Sequence, residues 1–262
     1  MQGLISLGGQ TWLTMKAKEG RGGWSQETKL DEAPKMIVPV QEQVVHVQEG
    51  ITLDLGDFNW ARWRTSLTLP VANGGGPVLY QEALGWVMAL QEVTRVARLR
   101  GQWESVPLWP RILTWPWMDF GFEAGVTVNM KGFQSARIDV GLEVRGVPGV
   151  WHNRVVEWIY WKLLAEEAEI CAQENKPAQL TGVVAKKTAP DWLPEEALAR
   201  VSLQYGVTIK RDAAFLKPDV GASRFCQFRD INVVYEAMAK EFKQKIREAV
   251  AKRLMPQERV HG

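Results

Sequence analysis

The chain has 262 residues, 46% of them apolar and 24% charged, with a formal net charge of +2. That length buries a substantial core, as one large domain or two small ones, and that balance excludes intrinsic disorder. No apolar run approaches the roughly 18 residues of a membrane span, and MQGLISLGGQTW at the N-terminus lacks the basic and apolar regions of a secretory signal.

Residues 1–43 read as a leader arm, poorly periodic and polar over KAKEGRGGWSQETKLDEAPK. From Val44 the pattern changes: VVHV reads as a strand end, and Ile51–Leu55 and Ala61–Leu69 alternate with period two, as half-buried strands do. PVANGGGP punctuates the chain, and Leu79 to about Arg100 reads as a helix with Leu79, Ala83, Val87, Leu90 and Val93 on one stripe. Residues 44–103 thus form a strand–strand–helix unit. Residues 104–124 are a linker dense in Trp and Pro, carrying Trp109, Trp115, Trp117, Phe120 and Phe122. This segment reads as a hydrophobic plug between neighbouring units, with a ligand surface or subunit interface as alternatives.

Residues 125–176 repeat the strand–strand–helix order. GITLDLGDFNWARWRTSLTL at Gly50 aligns without a gap, 75 residues on, with GVTVNMKGFQSARIDVGLEV at Gly125. The copies share Gly50/Gly125, Thr52/Thr127, Phe58/Phe133, Ala61/Ala136, Arg62/Arg137 and Leu67/Leu142. We read an internal duplication. Its second helix runs from about Asn153 to Gln173, with Val155, Ile159, Leu163 and Ile170 inward.

Residues 177–262 show no obvious third copy. PDWLPEEALARV suggests a short helix, VSLQYGVTIKR one or two strands, and the end a long amphipathic helix with Val234, Met238, Phe242 and Ile246 inward. Residues 176–262 hold 16 Lys/Arg against 10 Asp/Glu, a balance of +6, so the preceding residues sum to −4. The expected fold is α+β: internally duplicated strand–strand–helix units forming a sheet with helices on one face, plus a basic helical C-terminal element. In outline this resembles ferredoxin-like and RNA-recognition sheets, although the chain lacks a β-α-β-β-α-β order and an RNP-type octapeptide.

Directly paired residues of a hairpin share a face. Leu53 opposite Ala61 and Ile51 opposite Trp63 put Leu55 against Asn59, a three-residue loop Gly56–Asp57–Phe58, with Lys131–Gly132–Phe133 its counterpart. The other face then carries Thr52 across from Arg62, Asp54 from Trp60, Thr127 from Arg137 and Asn129 from Ser135. Aromatic rings and guanidiniums on an open sheet suit nucleobases and phosphates. We therefore expect a non-catalytic, weakly sequence-selective, single-stranded DNA- or RNA-binding protein. Its sheet platform would be Thr52, Phe58, Trp60, Arg62, Arg64, Phe133 and Arg137. Phosphate contacts would come from Lys186, Lys187, Lys210, Arg211, Lys240, Lys243, Lys245 and Arg247. The alternative is an assembly subunit that uses its Trp-rich surfaces to form a homo-oligomer or to dock a partner.

No catalytic, metal or cofactor site is expected. Asp119-Phe120-Gly121 stands without the other kinase motifs, and Asn73-Gly-Gly-Gly-Pro77 lacks the Gly-Lys-Ser/Thr ending of a phosphate loop. His46, His152 and His261 have no zinc spacing with Cys171 or Cys226. Two cysteines make no disulfide framework, so a cytoplasmic setting is expected.

Overall fold

The computed structural model describes residues 9–19, 22–32, 44–57, 59–71, 76–100, 118–130, 134–147, 152–174, 197–211 and 214–254. Eight strands form one antiparallel sheet: β1 (Gly9–Glu19), β2 (Gly22–Glu32), β3 (Val44–Gly56), β4 (Asn59–Pro70), β5 (Met118–Met130), β6 (Gln134–Val147), β7 (Leu198–Arg211) and β8 (Ala214–Gln227). Their spatial order is β2-β1-β8-β7-β6-β5-β4-β3. Three helices follow three of the hairpins: α1 (Gly76–Arg100) after β4, α2 (His152–Gln173) after β6, and α3 (Ile231–Leu254) after β8 through a single 3-10 turn. No helix among the described residues is long and apolar enough to cross a membrane.

Each helix packs on its own hairpin, α1 on β3 and β4, α2 on β5 and β6, α3 on β7 and β8. The strands explain why. Ala61, Trp63, Leu67 and Leu69 alternate on β4; Phe120, Phe122, Ala124, Val126 and Val128 on β5; Ile138, Val140, Leu142 and Val144 on β6; Val201, Leu203 and Tyr205 on β7. The register stacks these positions into rows, such as Ala61, Val126, Ile138, Tyr205 and Val220, so one face is apolar from β4 to β8. The helices close it with Leu79, Ala83, Val87 and Leu90, with Val155, Ile159 and Leu163, and with Val234, Met238 and Phe242, in one continuous core. Phe120 meets Trp86 of α1 edge-on at 6.0 Å, and Phe122 lies 5.9 Å from Tyr160 of α2. The first contact joins adjacent units, whereas the second lies within the unit of β5, β6 and α2. Trp109, Trp115 and Trp117 lie outside the described residues.

Several expectations change. The leader contains the β1–β2 hairpin, which extends the sheet beyond β8. The C-terminal region holds a third strand–strand–helix series rather than an unrelated element, and Leu198–Val201, expected in a short helix, lies in β7. Likewise β5 begins at Met118, so Phe120, Phe122 and Ala124 are strand rather than linker.

Candidate nucleic-acid interface

With helices on one face, the other face of the sheet is lined by the alternate residues. The expected hairpin pairs form: Thr52 with Arg62, Leu53 with Ala61, Asp54 with Trp60, and Thr127 with Arg137. The turns differ. In the first hairpin a bulge after Asp54 pairs Gly56, not Leu55, with Asn59. Gly56 at φ 82° and Asp57 at φ 49° take left-handed backbone there. Asn59 fixes the turn by donating from Nδ2 to the Gly56 carbonyl at 3.0 Å and accepting the Asn129 N–H at 2.7 Å. In the second hairpin Met130 pairs with Gln134, leaving the three residues 131–133 between them as expected.

The open face is a checkerboard of glycines and charges. Four acids stand across from glycines on the neighbouring strand: Glu123 from Gly141, Asp139 from Gly125, Glu143 from Gly121, and Asp219 from Gly206. The missing side chains let these carboxylates lie down on the sheet. A Cβ on Gly125 would overlap Asp139 Oδ1 and stand 2.8 Å from the Ile138 carbonyl oxygen. It also clears a path, because Arg62 of β4 reaches over Gly125 to form an ion pair with Asp139 on β6.

Arginines close over the sunken acids. Asp139 is paired with Arg62 and with Arg137, whose Nε donates to Oδ2 at 2.8 Å. Glu143 is paired with Arg200 and with Arg145, at 2.7 Å. The carboxylates are the inner layer, with side chains 3% and 15% exposed. Arg137 and Arg200 are outer, each 42% exposed, whereas Arg62 has its Nε and Nη2 buried. Arg64 is exposed as well. Two cations per recessed anion leave a positive outer layer whose donors are held in place. Glu123 differs from the other acids: burial, then the nearby Asp139 charge, pushes its carboxyl above the usual range, against the pull of Arg64, Arg62 and Arg137.

The expected site residues divide. Thr52, Trp60, Arg62, Arg64 and Arg137 share the open face, with Trp60 and Arg64 exposed. Lys240, Lys243, Lys245 and Arg247 lie on α3, which packs against the opposite face. A single flat contact does not reach both sets. Lys243 is moreover bonded to Glu166 at 2.9 Å and Glu169 at 2.6 Å, and Lys245 to Glu241. Lys210 is exposed near the end of β7 and Arg211 ends that strand. Phe58, Phe133, Lys186 and Lys187 fall outside the described residues. Arg145 and Arg200 were missed. The signal for Arg200 is its alternation, with Ser202 and Gln204, against Val201, Leu203 and Tyr205, and for Arg145 its alternation, with Asp139 and Glu143, against Val140, Leu142 and Val144.

Comparison with protein-family models, with curated proteins and with solved structures finds no match to this chain.

Proposed function

We propose that the open face of the sheet binds a single-stranded nucleic acid, without catalysis and with weak sequence selectivity. The observation that carries this is the outer layer of Arg64, Arg137, Arg145 and Arg200 across β4 to β7, three of them tied to a recessed carboxylate. Three strand spacings of about 4.8 Å span about 14 Å, room for a phosphate backbone to meet several guanidiniums. Among the described residues the exposed aromatic surface of this face is modest, Trp60 being 39% exposed, and the reading rests on backbone contact rather than on stacking. We also take the three strand–strand–helix units as copies of one unit. Gly-Val-Thr recurs at 125–127 and 206–208, and Asp-Val-Gly at 139–141 and 219–221.

Fluorescence anisotropy of labelled DNA and RNA oligonucleotides across about 50 to 300 mM salt tests the reading. Each phosphate contact contributes about 0.7 to the log–log salt slope of a single strand. The double variant Arg137→Ala, Arg200→Ala should lower that slope by about 1.4, while Lys240→Ala, Arg247→Ala on α3 should leave it unchanged. Equal losses from both variants, or no binding at low salt, would sink the proposal.

The second reading, an assembly subunit, rests on β3, which pairs with β4 alone among the described residues and so offers a strand edge to another copy. A mass in solution equal to one chain at high concentration would remove it.

A further inference from the structure

Between β4 and β7 the open face holds a recess of about 90 Å³. The register around it repeats with a local two-fold axis between β5 and β6. One row runs Arg64, Glu123, Gly141, Ser202 from β4 to β7; the adjacent row runs Arg200, Glu143, Gly121, Ser66 from β7 back to β4. The strands accordingly read Arg-Thr-Ser and Arg-Val-Ser outside, Gly-Phe-Glu and Gly-Leu-Glu inside. The glycines form a floor closed to larger residues, since a Cβ on Gly121 or Gly141 would overlap the Ser66 or Ser202 hydroxyl.

The two halves are alike in residue type but not in occupancy. Glu143 is saturated by Arg145 and Arg200. Its counterpart Glu123 forms no hydrogen bond or ion pair among the described residues, because the position matching Arg145 is Gly125; Arg64 beside it is equally without one. One half of the recess therefore offers an unused carboxyl next to an unused guanidinium. A lone phosphate suits the guanidinium but not the carboxylate. A flat ring with acceptors on one edge and donors on the next suits both.

We infer that this half-recess receives one guanine base of a bound strand. A guanidinium matches guanine O6 and N7, and a carboxylate matches its N1–H and N2–H groups; no other common base offers two adjacent acceptors together with N–H donors on two adjacent atoms, cytosine giving a carboxylate its N4 amine alone. The inference rests on the proposed function and adds a base preference to it.

The test uses the full chain and labelled thymine strands of about fifteen nucleotides carrying one central guanine, inosine, adenine or no substitution, read by anisotropy at a single salt concentration. A single guanine avoids quadruplex formation. The guanine strand should bind about tenfold tighter than the adenine strand, with inosine between them for want of the N2 amine. In Glu123→Gln the guanine preference should fall below about threefold, with affinity for the all-thymine strand not reduced and an unchanged circular dichroism spectrum. Arg64→Ala should lose the preference too. Equal binding of guanine and adenine strands, or a preference that survives intact in Glu123→Gln, overturns the inference while leaving strand binding standing. Failure of every strand to bind removes the proposed function and this inference with it.

Discussion

Glycine on the open face does two things at once: it lets an acidic side chain lie flat, and it lets an arginine cross a strand. Gly125 is the sharpest case, because its missing Cβ would collide with Asp139 and with the Ile138 carbonyl, a backbone atom that cannot step aside. Gly125→Ala should destabilise the fold by about 2 kcal/mol or more, an overpacking cost, in denaturant unfolding. Gly85, exposed within α1 with nothing inside 4 Å of a Cβ, gives the opposite sign: Gly85→Ala should stabilise by about 0.5–1 kcal/mol through helix propensity. Glu123 gives a pH signature at the same scale. Its folded carboxyl is held above the ordinary value, chiefly by burial, so folding favours the protonated form. Stability from this group is fully present below the ordinary glutamate range and is lost as pH rises through the raised folded value. Glu123→Gln should therefore melt higher than the parent at neutral pH, and the gap should close as pH falls towards 4. A gap that widens on acidification would refute the assignment.

Elements owe their positions to a few polar pins as well as to apolar area. Gln91 of α1 is buried and donates from Nε2 to the Glu49 carbonyl and to Thr65 Oγ1, both at 3.0 Å, fixing the helix over β3 and β4. Tyr235 of α3 donates to Glu166 of α2 at 3.0 Å, and Lys243 bonds to the same carboxylate at 2.9 Å, locking the second helix to the third. The paired strands within 51–69 and 126–144 and their helices were legible because apolar residues recur there with clean periods of two and 3.6. The third unit was harder to read. In β8 Lys217, Pro218 and the Asp219-Val220-Gly221 run interrupt the alternation, and the likeness to β5 and β6 is confined to the short recurrences Gly-Val-Thr and Asp-Val-Gly. The first hairpin did carry a signal: Leu13, Met15 and Ala17 alternate with Thr14, Lys16 and Lys18, ahead of a Gly-rich turn. Arg145 and Arg200 escaped for a different reason. Which Arg shields which acid depends on cross-strand neighbours, and strand order is not written in periodicity. Basic residues on α3 drew attention by number, although that helix belongs to the other side of the sheet.

At the scale of the whole molecule, the sheet is one layer shared, among the described residues, by three helices and by a hairpin against which none of them packs. Each helix rests on strands between β3 and β8. The β1–β2 hairpin contributes differently: β1 pairs along the length of β8, from Gly9 with Arg224 to Glu19 with Ala214, and so removes an edge that would otherwise face solvent. Deleting residues 1–43 should then leave a chain that unfolds cooperatively with its helical circular dichroism intact. Loss of the β1 ladder should cost about 2–3 kcal/mol, lowering Tm by about 5–10 °C for a domain of this size. The bared β8 carries a full row of unpaired N–H and C=O groups, which invites pairing with a second molecule. Sedimentation should show mass rising with concentration in the truncated chain and less so in the intact one. A truncated chain that melts without cooperativity would mean instead that the hairpin is part of the folding unit, and that the three-helix layer does not hold the sheet by itself.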